Sequence, residues 1–77
     1  MNTEYERALG QNIRALRMKK GVSQEQLAAQ LQLRGCDVTR SALAKMEAGQ
    51  RHIYPDELRA LRESLVVSYE ELFPAMQ

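Results

Sequence analysis

Arg40, Ser41 and Lys45 are the side chains whose types and spacing could do chemistry, and that chemistry is recognition rather than bond-making. They fall in the run TRSALAKMEAG, where Leu43 and Met46 sit three apart and can share a buried helix face. Arg40, Ser41, Ala44 and Lys45 are then left for the other side. An outer face this short, polar and basic fits the major groove of duplex DNA: small side chains allow close approach, and arginine and serine can hydrogen-bond to base edges. Catalysis lacks its materials. The chain has one histidine, His52, and one cysteine, Cys36, with no nucleophile–base pair and no metal-ligand spacing. No enzyme activity and no cofactor are expected.

The elements that must position this face start and stop at recognisable residues. Ser23 with Gln26 three positions on forms a capping box, and Val22 and Leu27 are placed for a hydrophobic staple. Thr39 opens the next helix, over about 40–48, with Val38 and Leu43 at the same staple offsets, and Gly49 can turn left-handed to end it. Two helices joined by a turn make a helix-turn-helix. Ahead of them, Tyr5, Leu9, Ile13 and Leu16 form the stripe of a first helix over about residues 4–20. Gly10 inside it costs about 1 kcal/mol relative to alanine and is expected to allow fraying before it. Lys19 and Lys20 fall in its last turn, where they serve either the helix dipole or a DNA phosphate, and Gly21 ends it. The second helix, about 24–34, turns Leu27, Ala28 and Leu31 inward. Gln24 in its first turn is either an ordinary exposed glutamine or a phosphate contact, since free amides and the dipole there favour an anion. The loop GQRHIYP offers Arg51 and His52 to a DNA backbone. Pro55 suits the first position of a fourth helix with Leu58, Leu61 and Leu65 inward. Ser68 and Glu71 form a further capping box, opening a fifth helix that carries Leu72 and Phe73 and stops at Pro74.

The 77 residues make one all-α domain, 1–77, with a modest core, since a chain of this size buries only about 60% of its unfolded surface. No apolar stretch approaches the roughly 20 residues of a membrane span, and the acidic start MNTEYERALG is no secretory signal. The lone Cys36 fits a reducing cytosol and reads as a small residue in the inter-helix turn, having no basic cluster or second ligand beside it. A net charge of +1 looks poor for a nucleic-acid binder until its distribution is followed. Residues 7–51 carry +6, against −2 before them and −3 after them. That segregation would orient the molecule on a polyanion.

Three blocks, IRALRMKKGVSQEQLAAQL, VTRSALAKMEAGQR and LRALRESLVVSYEELF, resemble the Cro and phage-repressor type of helix-turn-helix family, often called XRE, over residues 13 to 73. The resemblance implies a compact five-helix domain that binds operator DNA, usually as a homodimer, and so a transcriptional regulator, a repressor above all, in a prokaryotic or phage-encoded cytoplasmic setting. Residue by residue, it implies that Thr39 caps the recognition helix and contacts a phosphate, and that Arg40, Ser41 and Lys45 reach base edges. It likewise gives Gln24 a phosphate, and pairs Arg17 with Glu47 to tie the first helix to the recognition helix.

This sequence departs from the family at three places. The family usually joins the equivalents of Leu31 and Val38 with about one residue, whereas Gln32 to Asp37 intervene here. We read Gln32, Leu33 and Arg34 as another turn of the second helix with Gly35 as its stop. Ala48 replaces the asparagine or arginine of many relatives, removing one backbone contact. Val66 stands where a glycine commonly ends the fourth helix, and because a β-branched residue resists a left-handed conformation, that turn is expected to differ. A second function is also compatible with the same fold: a protein-interaction module, such as an antitoxin or regulatory adaptor, using the acidic C-terminal third and Met76.

Overall fold

Residues 3–75, described by a computed structural model, form α1 (Thr3–Lys19), α2 (Gln24–Leu33), α3 (Arg40–Glu47), α4 (Pro55–Leu65) and α5 (Tyr69–Leu72), with no strand among them. Met76 lies outside the described residues. From α2 onward each helix begins where local chemistry satisfies its free amides. Ser23 Oγ accepts from the Gln26 N–H at 3.0 Å while the Ser23 N–H donates to Gln26 Oε1 at 2.9 Å. Thr39 Oγ1 accepts from the Ala42 N–H at 3.1 Å, and Ser68 and Glu71 repeat the reciprocal arrangement at the start of α5. At α4, Tyr54 has no capping side chain, so Glu57 reaches back to the Tyr54 N–H at 3.0 Å.

Leu9 and Ile13 of α1, Leu27 and Leu31 of α2, Leu43 and Met46 of α3, Leu61 and Leu65 of α4 and Leu72 of α5 meet in one core, with Val38 entering from the α2–α3 connection. Burying such side chains contributes about 1.5–3 kcal/mol each before entropy is counted. Asn12 Nδ2 donates to the carbonyls of Glu71 and Leu72 at 2.9 and 2.6 Å, so α1 satisfies the end of α5 as well as packing against it.

The extra residues after Leu31 do lengthen α2. The helix runs to Leu33, the backbone turns left-handed at Gly35, and the Cys36 N–H returns to the Leu31 carbonyl at 2.9 Å. Gln32 Nε2 donates to the Val38 carbonyl at 3.0 Å and Arg34 Nε to Ser64 Oγ at 3.0 Å, bracing the longer connection from both sides. Cys36 is buried with Sγ 3.7 Å from the Asp56 carbonyl oxygen. Burial, and then the nearby charges of Asp56 and Glu57, push its thiol up, which keeps it protonated and unreactive.

Two expectations need correction. Gly10 does not interrupt α1, which is helical from Thr3: it is buried where α1 crosses the end of α3, and a Cβ there would collide with the Met46 carbonyl oxygen and lie 2.9 Å from that of Glu47. The missing side chain sets how closely the two helices approach. Val66 does take up the left-handed cap, at φ 56° and ψ 53°, and the Val67 N–H closes on the Arg62 carbonyl at 3.2 Å. Val66 itself is 80% exposed while Val67 is buried. The cost is therefore backbone strain, about 1–2 kcal/mol, offset by anchoring the next side chain in the core.

Candidate nucleic-acid interface

Glu47, the last residue of α3, is the polar centre of the molecule. Its carboxylate accepts from Arg17 Nε at 2.7 Å, from Arg17 Nη2 at 3.1 Å and from Gln24 Nε2 at 3.0 Å. Arg17 Nη1 donates to the Val22 carbonyl at 2.9 Å. Side-chain exposure is 10% for Arg17 and 2% for Glu47, so one buried carboxylate joins α1, the α1–α2 turn, the start of α2 and the end of α3. A buried pair of this kind adds little net stability over an apolar replacement, but it fixes orientation, and removing one partner strands the other charge. Here it sets the angle at which α3 is carried.

Along α3, Arg40, Ser41 and Lys45 are all exposed and all without a side-chain partner among the described residues, Arg40 two turns before Glu47 and Lys45 turned away from it. Ala44 lies half-buried between them, keeping that surface low. Thr39 is exposed too. Its oxygen is taken by the Ala42 N–H, but the hydroxyl hydrogen remains able to donate.

Arg14, Arg17, Ser23, Gln24, Glu25 and Arg40 line one cleft between α1, α2 and α3, and the adjoining cleft is lined by Gln11, Arg14, Gln24, Ala44, Glu47 and Ala48. Gln24 and Arg40 are thus brought together. Gln24 is not a free phosphate ligand, however: it is half-buried and one amide hydrogen is committed to Glu47, leaving the second. Arg14 is the addition that sequence reasoning counted only as a charge. Its position three residues before Arg17 carried the signal, since i and i+3 share a helix face.

Arg51 is already engaged within the chain. Rather than standing free for DNA, its Nη1 and Nη2 meet both Glu57 oxygens at 3.0 and 2.9 Å, Nη1 also donates to the His52 carbonyl, and the guanidinium lies 6.0 Å from the Tyr54 ring centre. The Glu57 hydrogen bond raises Arg51 further above its ordinary value. Burial pushes the Glu57 carboxyl up, but hydrogen bonds from Arg51 and the Tyr54 N–H, with the Arg51 charge, outweigh this and hold it below the usual carboxylate range. His52 Nδ1 is likewise engaged, 2.6 Å from Glu6 Oε1. Lys19 and Lys20 are exposed, and their field reaches Glu71 of the acidic α5, whose carboxyl is lowered mainly by the Ser68 N–H and hydroxyl. Among the described residues no His, Cys, Asp and Glu group could hold a metal ion, and no helix is long and apolar enough to cross a membrane.

The helix-turn-helix family model matches residues 13–72. Among solved structures the chain is similar to the restriction-modification controller protein C.AhdI from Aeromonas hydrophila, at 34% identity over 92% of this chain and 96% of that one, with a TM-score of 0.81. It is similar to the DNA-binding domain of BldD at 28% identity, covering 96% of this chain and 100% of that one, TM-score 0.80. The clp gene regulator ClgR from C. glutamicum follows at 25% identity over 88% and 82% of the two chains, TM-score 0.78. No curated protein sequence matches.

Proposed function

The chain belongs to the XRE-type helix-turn-helix family, and we propose that it is a sequence-specific regulator of transcription, acting as a repressor, that reads duplex DNA with α3. One observation carries the reading: Arg40, Ser41 and Lys45 are exposed and unpartnered on a helix whose far end is tied to α1 and α2 by Arg17, Glu47 and Gln24. In this account residues 1–77 act as one unit, Arg40, Ser41 and Lys45 contact bases, and the Thr39 hydroxyl and the free amide hydrogen of Gln24 hold phosphates. Arg51, Lys19 and Lys20 are left to structural and long-range electrostatic roles. It works in the cytoplasm, on the nucleoid. Two copies would set their α3 helices about 34 Å apart on successive major grooves. Tyr69 and Phe73, exposed on the C-terminal side with their rings 6.3 Å apart, offer the apolar surface for that pairing.

Selection from a random duplex library, followed by binding at two salt concentrations, tests this. A two-fold-symmetric enriched site whose affinity falls steeply with salt is the expected outcome, because bound phosphates release condensed cations. Failure to enrich any site, with no salt-sensitive retention, would instead favour the adaptor or antitoxin reading.

A further inference from the structure

We propose that Arg14 is an additional DNA-phosphate ligand, placed by α1 beside Gln24 and Arg40; the inference rests on the DNA-binding reading of α3. Three of the six arginines in the basic segment 7–51 are already occupied: Arg17 by Glu47, Arg34 by Ser64 and Glu63, and Arg51 by Glu57. Arg14 is exposed and has no partner among the described residues. It lines the cleft that Gln24 and Arg40 share, and it also lines the adjoining cleft bounded by Ala44 and Ala48 of the α3 end. Only Gln24 shares that double position.

A guanidinium there, beside the uncommitted amide hydrogen of Gln24 and next to a second unpaired guanidinium, is suited to a phosphodiester: planar donors match phosphate oxygens, and the anion relieves the repulsion between two neighbouring cations. The Arg17–Glu47 pair beneath holds α1 and α3 in fixed relation, so a phosphate gripped by Arg14 is held in register with the base contacts of Arg40 and Ser41. Arg14 thus contributes position and affinity while carrying no base preference of its own.

The test uses the full chain and its selected duplex, with Arg14→Gln and, as control, Arg59→Gln, which removes an arginine that is 72% exposed on α4. Arg14→Gln should lower the slope of log affinity against log salt by about 0.9 and weaken cognate and scrambled duplexes by the same factor, with melting temperature unchanged. Arg14→Lys should restore the slope. Replacing single phosphates by neutral methylphosphonates should reveal one whose loss weakens the wild type but not Arg14→Gln, and Arg59→Gln should behave as wild type throughout. The proposal is overturned by an unchanged slope in Arg14→Gln, by an equal loss in Arg59→Gln, or by an altered base preference, provided the wild type binds DNA in a salt-dependent way. Absence of any salt-dependent binding by the wild type would overturn the DNA reading itself, and this inference with it.

Discussion

The α1–α3 side and the α4–α5 side of this molecule use the same devices to different ends. Each contains a bidentate arginine–glutamate pair. Arg17 and Glu47 are thirty residues apart and almost wholly buried, and they recruit Gln24 as a third member. Arg51 and Glu57 are six apart, with 29% and 10% of their side chains exposed, and they fasten a loop to the helix that follows it. Each side also ends a helix left-handed, with glycine after α3 and valine after α4. At Gly49 a Cβ would lie 2.8 Å from the Arg7 Cα, so the backbone must pass close to α1. Val66 faces solvent and tolerates its side chain. The difference teaches where geometry matters: the α3 side is built from long-range, buried, close-fitting contacts that fix one helix, whereas the α4–α5 side accepts local pairing and strain.

Breaking the buried pair should have the largest effect. Glu47→Ala strands the Arg17 charge and frees Gln24, at about 3–5 kcal/mol. With each kcal/mol worth about 4–8 °C in a domain of this size, thermal unfolding followed by circular dichroism should show a large fall or loss of the transition. An unchanged midpoint would mean the pair does not hold α3. Gly10→Ala tests the same side by forcing α1 and α3 apart, and should cost about 1–3 kcal/mol by denaturant titration. A neutral result would show that the crossing can relax.

On the other side, Glu57→Gln should cost only about 1 kcal/mol, because Arg51 is partly screened by solvent. The pH dependence has a definite sign. Glu57 is lowered from its ordinary value of 4.5, so its contribution is fully present above that pH and is lost as pH falls through the lower folded value. The difference between wild type and Glu57→Gln should therefore shrink on acidification below pH 4.5. A gap that stays constant with pH would show that the charge is not what Arg51 recognises. Smallest of all, Val66→Gly should gain up to about 1 kcal/mol by removing the left-handed strain, less what glycine adds to unfolded-chain entropy. Destabilisation there would mean the exposed valine packs against something.

Much of this was legible in the sequence because it is local. The caps at Ser23, Thr39 and Ser68, the extra turn ending at Gly35, and the buried stripe of Leu43 and Met46 depend on neighbours within one or two turns. What was not legible depends on which elements meet. Gly10 reads as a weak helical position until α3 crosses it, and Arg51 reads as a free cation until Glu57 turns back toward it. Gln24 could be given a phosphate by resemblance, but its bond to Glu47 needed the packing of α2 on α3. Val66 differs for another reason: its own conformational preference opposes the left-handed cap, and the burial of Val67 outweighs it.

The most direct test of the account measures Arg40→Ala against the selected duplex and a panel of single-base-pair variants, with Gln24→Ala alongside. Arg40→Ala should lose about 1–3 kcal/mol on the selected site and flatten discrimination at one base-pair position, while Gln24→Ala weakens every duplex by a similar factor. Unaltered base preference in Arg40→Ala, with its fold intact, would contradict the claim that the outer face of α3 reads DNA.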